Sequence, residues 1–147
     1  MSDASNTEKA SMTHLYHGYS QSELDRQYDA RSTVPDAMLY LKQYAEYSAA
    51  VRASLDCSCN VAYGVGPDEL LDIFPSSVPD SPVLVYIHGG YWRALSKDDS
   101  CLMAGTFTHA GATVVALNYA LAPAVTLDEI VAQNRRALAW IHAHIAH

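Results

Sequence analysis

A chain of 147 residues, half of them hydrophobic, suits one domain of ordinary size with a sizeable core. Its formal net charge of −7 argues against nucleic acid or an anionic membrane as a partner, and three cysteines, an odd count, make no disulfide framework. The polar start, Met1 to Lys9, lacks the apolar run of a secretory signal, and no stretch approaches the ~18 uncharged apolar residues of a membrane span, so a cytoplasmic location is the default expectation.

In chain order, residues 1–27 read as a loose polar lead-in, rich in Ser, Thr, Asn and Asp and broken by Gly18. The domain proper is expected over 28–147. Thr33 is placed to cap a helix with Pro35 in its first turn, and Asp36 to about Arg52 reads as that helix, with Tyr40, Tyr44 and Tyr47 at i, i+4, i+7. Cys57 and Cys59 could offer two metal ligands, but no second Cys/His pair follows at zinc-ribbon spacing. Together with Cys101 they are expected to be reduced. Asn60–Tyr63 and Leu70–Pro75, separated by Gly64 and Gly66-Pro67, predict an antiparallel hairpin.

Val83-Leu84-Val85-Tyr86-Ile87 is continuously apolar and β-branched, the pattern of a strand buried on both faces of a parallel sheet. His88-Gly89-Gly90 ends it. Ser96 with Asp99 forms a capping box for a helix from Lys97 to Ala110, whose inner stripe would be Leu102, Met103, Thr106, Phe107 and Ala110, with Gly111 as the terminating residue. Thr113–Asn118 is the next buried strand. Thr126 with Glu129 opens a last helix, with Leu127, Val131, Leu138, Ile141 and Ile145 on its apolar side. The succession strand, helix, strand, helix after a hairpin predicts an α/β fold with a mixed sheet, antiparallel at its start and parallel beyond.

The segment that carries chemistry is Ile87-His88-Gly89-Gly90-Tyr91-Trp92-Arg93. Two glycines after a buried strand let the backbone turn sharply and present N–H groups with no side chain in the way. Acyl transfer needs such donors, because the attacked carbonyl oxygen gains negative charge in the transition state. An HGGG-type loop after the third strand plays this part in lipases and esterases.

On these residues the chain resembles the N-terminal half of an α/β-hydrolase. Within that superfamily it is similar to the kynurenine formamidase (arylformamidase) and hormone-sensitive-lipase-like esterase branch. His88-Gly89-Gly90-Tyr91-Trp92 matches an H-G-G-x-W signature. Asn118-Tyr119-Ala120-Leu121-Ala122-Pro123 matches N-Y-x-L-A-P, and Tyr63-Gly64 through Phe74-Pro75 matches the preceding hairpin. The likeness runs over roughly residues 20–147. It implies that Gly89, Gly90 and Tyr91 offer main-chain N–H groups to an oxyanion and that His88 and Trp92 hold the loop in shape. It further implies a small-molecule aryl formamide or carboxylic ester as substrate, with no metal and no organic cofactor. The Tyr-Trp pair after the glycines favours a formamidase over a general carboxylesterase.

One departure is decisive for what the chain can do alone. The branch carries its nucleophile in a G-x-S-x-G elbow, followed by an acid and a histidine. No such elbow occurs here: every glycine lies at or before Gly111 and no serine follows Ser100. The expectation is that the chain stops short of its nucleophile, supplies the oxyanion loop only, and is inactive alone. A non-catalytic interaction module derived from a hydrolase is the alternative. On either reading, apolar surface left uncovered is expected to favour self-association. Other residues read more simply. His142, His144 and His147 lack the carboxylate partner of a metal site and suit a solvated helix end. Ser96 suits capping better than attack, and the Tyr40–Tyr47 stripe suits packing.

Overall fold

The computed structural model describes residues 15–145. They form two compact units, divided between Ala37 and Met38. Residues 1–14 of the polar lead-in lie outside the described residues, and its remainder is not irregular, because Gln21–Tyr28 forms a helix, α1. Ser20 caps it in both directions: its hydroxyl accepts the Glu23 N–H, and the Glu23 carboxylate accepts the Ser20 N–H at 2.8 Å. Asp29 then caps a short 3-10 turn, Ala30–Thr33, by accepting the Ser32 N–H, and Thr33, read as the cap of the next helix, is instead the last residue of this turn, its hydroxyl donating to the Ala30 carbonyl. Asp36, at φ 58°, reverses the backbone after Pro35, so the following helix, α2, begins at Ala37 and runs to Ser54.

The second unit is built on a four-stranded sheet. Its strands are β1 (Ser58–Ala62), β2 (Leu70–Phe74), β3 (Val83–Ile87) and β4 (Thr113–Leu117), in the order β1-β2-β4-β3. β1 with β2 and β2 with β4 are antiparallel, and β3 with β4 is parallel. This mixed sheet is the one the alternation of elements predicts. The continuous β-branched pattern describes β4, whose five residues are all buried. It fails for β3, which among the described residues pairs only with β4 and leaves Tyr86 and Ile87 exposed. An apolar run marks the interior of a sheet, and it cannot tell a central strand from one at the border.

Alternation along β4 divides the core between two faces. Val115 and Leu117 join Leu71, Tyr63, Tyr119, Ile130, Ala137 and Ile141 under helix α4 (Leu127–His144). Val114 and Ala116 join Phe74, Cys101 and Ala104, with Val51, Leu55 and Leu84 against them, under the end of α2 and helix α3 (Ala104–His109).

Two helices differ from expectation. The Lys97–Ala110 helix is broken into a 3-10 turn, Lys97–Asp99, and α3. The Ser96–Asp99 box forms as predicted, but the Cys101 N–H, which a continuous helix would direct to the Lys97 carbonyl, goes instead to the buried Ser48 hydroxyl of α2 at 3.0 Å. The break rotates the following turn, so Cys101 and Ala104 face the core while Leu102 and Phe107 are exposed. Gly111 ends α3 at φ 92°, with the Ala112 N–H on the Phe107 carbonyl. In α4 the buried stripe is Ile130, Gln133, Ala137 and Ile141, whereas Leu127, Val131 and Leu138 are exposed. Gln133 is admitted because its Oε1 accepts the Ala120 N–H at 2.8 Å. No helix among the described residues is long and apolar enough to cross a membrane.

The polar side of the second core cluster is a buried carboxylate. Asp72 is fully buried. Its Oδ1 accepts the Asn60 N–H at 2.8 Å and the Lys97 ammonium at 2.9 Å, and Arg52 of α2 lies 3.5 Å from Oδ2. Lys97, itself buried, also meets Asp98, to which Arg52 is hydrogen-bonded. Removing one partner of such a buried pair strands the other charge and costs about 3–5 kcal/mol. Lys97→Met is expected to lower unfolding free energy by roughly that amount in urea titrations. A loss under about 1 kcal/mol would show that Arg52 and Asn60 alone satisfy the carboxylate.

Candidate functional site

The His88–Trp92 segment leaves the C-terminal end of β3 and turns at once. Its backbone is left-handed at Gly90 (φ 114°), Tyr91 (φ 52°) and Trp92 (φ 57°), and again at Leu95 (φ 66°). Such conformations cost of order 1–3 kcal/mol each for residues bearing a Cβ and persist only where the surroundings hold them. The two glycines are not equivalent. A Cβ on Gly90 would lie 2.1 Å from the Ala94 carbonyl oxygen, whereas one on Gly89 would meet nothing within 4 Å.

The loop is held from several sides. His88 is buried, and its ring stacks on Tyr119 with centroids 4.2 Å apart and planes 2° from parallel. The Tyr119 hydroxyl donates to the His88 carbonyl at 2.8 Å. The His88 Nδ1 lies 2.9 Å from the Gly89 carbonyl, an acceptor, so Nδ1 carries the proton of the neutral ring and Nε2, buried and without a partner among the described residues, is bare. Burial holds the imidazole below its ordinary pKa, opposed by the bond to Gly89 and the charge of Asp99. Inside the loop the Arg93 N–H closes a turn on the Gly90 carbonyl, and the Ala122 N–H reaches the Trp92 carbonyl at 2.8 Å. Outside helices and strands, no main-chain bond among the described residues is donated by Gly89 or Gly90.

The segment after β4 is the frame for these contacts. Asn118 accepts the Lys97 N–H on its side-chain oxygen and donates to the Asp68 carbonyl, while its own carbonyl accepts the Tyr63 hydroxyl at 2.8 Å. Beside it Glu69 is buried, receiving the Gly66 N–H at 2.8 Å and the Arg136 guanidinium at 2.6 Å. Burial acts to raise its pKa, but those hydrogen bonds and the Arg136 charge hold it below the usual carboxylate range.

Of the residues singled out in the sequence, Gly89, Gly90, Tyr91, His88 and Trp92 thus share one turn. Trp92 is exposed and tied through its carbonyl, whereas His88 is anchored through its ring. Ser96 caps the 97–99 turn, as read. His144 stacks on Trp140 of its own helix, and His147 lies outside the described residues. The cysteines differ from expectation: Cys57 and Cys59 are joined in a disulfide, and only Cys101 is free. Sequence reasoning missed Tyr119 and Asn118 as anchors of the loop. Their signal was the matched N-Y-x-L-A-P stretch, to which no structural role had been given. A depression lined by Ile73, Asp80, Ser81, Thr113 and His144 lies at the start of β3 and β4, the end of the sheet away from this loop.

No family model matches the chain. It is 34% identical over 135 residues to the kynurenine formamidase of Salmo salar, covering 90% of this chain and 45% of the relative. To the kynurenine formamidase of Danio rerio it is 35% identical over 131 residues, covering 88% and 44%. A solved structure of a candidate thioesterase from Silicibacter sp. superposes with a TM-score of 0.77 at 29% identity, covering 84% of this chain and 48% of the other. Sheet and superposition together define the α/β-hydrolase fold class, and these residues cover 48% of the superposed chain. Within that class the chain resembles the kynurenine formamidases, and it spans a little under half the length of those relatives.

Two outcomes follow from the loop. Gly90→Ala is expected to lower stability by about 1–3 kcal/mol while Gly89→Ala leaves it within about 0.5 kcal/mol, read by chemical denaturation. Equal effects would show that the turn at 90 relaxes freely. For His88, a folded pKa below the unfolded value of about 6.5 means that the native state resists protonation. The stability this ring contributes is therefore complete above pH ~6.5 and is lost as pH falls towards the folded value. An NMR titration should place its midpoint below 6.5, and a midpoint at or above that value would mean a solvated ring.

Proposed function

We propose that the His88–Trp92 turn is the oxyanion loop of a serine α/β-hydrolase acting on an aryl formamide such as N-formylkynurenine, with Gly89, Gly90 and Tyr91 directing main-chain N–H groups at the developing oxyanion. The observation that carries this reading is the left-handed backbone at Gly90, Tyr91 and Trp92 directly after a parallel strand. Such a turn exposes consecutive amides, and the His88–Tyr119 stack fixes them before substrate arrives. Donors that need no reorganisation during reaction stabilise the charged transition state most, and one of them is worth about 2.7–4 kcal/mol. The curated relatives named kynurenine formamidase support the formamide as substrate.

The 147 residues contain no G-x-S-x-G elbow, so on this reading the attacking serine and its histidine come from polypeptide outside them. The chain then contributes binding of the carbonyl oxygen and no proton transfer. The test is to assay the chain alone, and the chain continued with the remaining sequence of the Danio rerio relative, against N-formylkynurenine and a p-nitrophenyl ester. The chain alone should turn over neither. The continued chain should prefer the formamide, and Gly90→Ala within it should lower kcat about 100- to 1000-fold. Phosphonate-sensitive turnover by the chain alone, or an unchanged kcat in the Gly90 variant, would overturn the assignment. Preference for the ester would move it to a carboxylesterase.

A further inference from the structure

The loop uses none of the cysteines. Cys57 and Cys59 are bonded across a single residue, Ser58, where the chain enters β1. A disulfide stabilises mainly by restricting the unfolded chain, and it does so more for longer loops. One that closes over three residues restricts it little, so stability is a weak reason for this bond. Its two sulfurs also differ in access. Cys57 is half-buried against Phe74, Cys101 and Ala104, whereas Cys59 is exposed on the border strand of the sheet. Both sulfurs lie within 4.8 Å of each other and of an Asp72 carboxylate oxygen.

We propose that Cys57–Cys59 is a thiol-exchange site for low-molecular-mass thiols, with Cys59 the sulfur that is attacked. The incoming thiolate forms a bond to the Cys59 Sγ. The Cys57–Cys59 bond breaks, and its electron pair leaves on Cys57, which takes a proton from water. A second small thiolate then attacks the small-molecule sulfur of the mixed disulfide, releasing Cys59 as a thiol and a small disulfide. The protein bond is reduced by two electrons and two small thiols are oxidised. Access dictates the order, since an exposed sulfur is the one a solvent nucleophile reaches. Asp72 would by itself oppose a thiolate leaving on Cys57. Lys97 at 2.9 Å and Arg52 at 3.5 Å offset that carboxylate, so the leaving sulfur does not face an uncompensated anion.

The same commitments argue against a metal. Asp72 already serves Lys97 and the Asn60 N–H through one oxygen, and a divalent cation there would sit beside two basic side chains. Cys101, though its Sγ is 3.9 Å from Asp72, stays outside the exchange. It is fully buried, and burial, with the charge of Asp72 next, pushes its thiol up to about 12.

The experiment holds the chain in graded mixtures of reduced and oxidised glutathione, quenches with acid, alkylates and reads the intact mass. A single two-electron transition confined to Cys57 and Cys59 is expected. Cys57→Ser should take up one glutathione on Cys59, and Cys59→Ser should take up about tenfold less, because its remaining partner is half-buried. A pair that never links at any ratio, or equal uptake by the two variants, would overturn the proposal. So would tight 1:1 binding of Zn2+ by the reduced chain that blocks reoxidation and is lost in Asp72→Asn, which would make the cluster a metal site. Failure of the hydrolase assays would leave these outcomes unaffected.

Discussion

A fully buried carboxylate sets the terms for one side of the sheet. Asp72 points from β2 into the layer that holds the end of α2 and the 97–99 turn, where its same-face neighbour along the strand, Phe74, is a buried apolar residue. A lone charge there would be intolerable, so the surrounding elements must deliver counter-charges. Arg52 comes from α2, Lys97 from the turn after the loop and a main-chain N–H from β1. Four segments, three of them consecutive elements and the fourth the 97–99 turn, are thereby fixed to one another. The same turn is anchored through the Lys97 N–H to Asn118, just past β4. The charge cluster and the loop beside β3 therefore share a support.

That support gives the loop its rigidity. Left-handed backbone at two residues with side chains is sustained by contacts made by others: the ring of Tyr119 against His88, the Tyr119 hydroxyl on the His88 carbonyl, and the Ala122 N–H on the Trp92 carbonyl. All three come from the segment after β4, whose own position is set by Gln133 of α4 and by Tyr63. On the proposed reading, the chemistry at Gly89–Tyr91 is prepared by residues that never approach a substrate.

Much of this was legible in the amino acids because period and punctuation are local. The hairpin, both β-branched strands, the Ser96–Asp99 box, Gly111 as a helix end and the glycine turn after Ile87 each announce themselves within a few residues. Failures came where a distant group decided. The Ser48 hydroxyl captures an N–H that a helix through Cys101 needs, and nothing near position 101 records it. The buried face of α4 is set by a glutamine bonded to Ala120 and a small Ala137, against the greater apolarity of Leu127, Val131 and Leu138. β3 and β4 read alike, yet of the two only β4 has strands on both sides among the described residues. The stack of His88 on Tyr119 joins residues that are 31 apart in the chain and lie at the ends of adjacent strands. Spacing in sequence carries no trace of it.

The unequal space around the two glycines bears on how such a gene can change. Codon 89 encodes a position outside the left-handed range where an added Cβ meets nothing within 4 Å, so the fold opposes a first side-chain carbon there less than a ligand would. Codon 90 is closed to all side chains by a carbonyl oxygen of the same loop, and every missense change lands on that obstacle. Of two adjacent identical letters, the fold itself locks only the second.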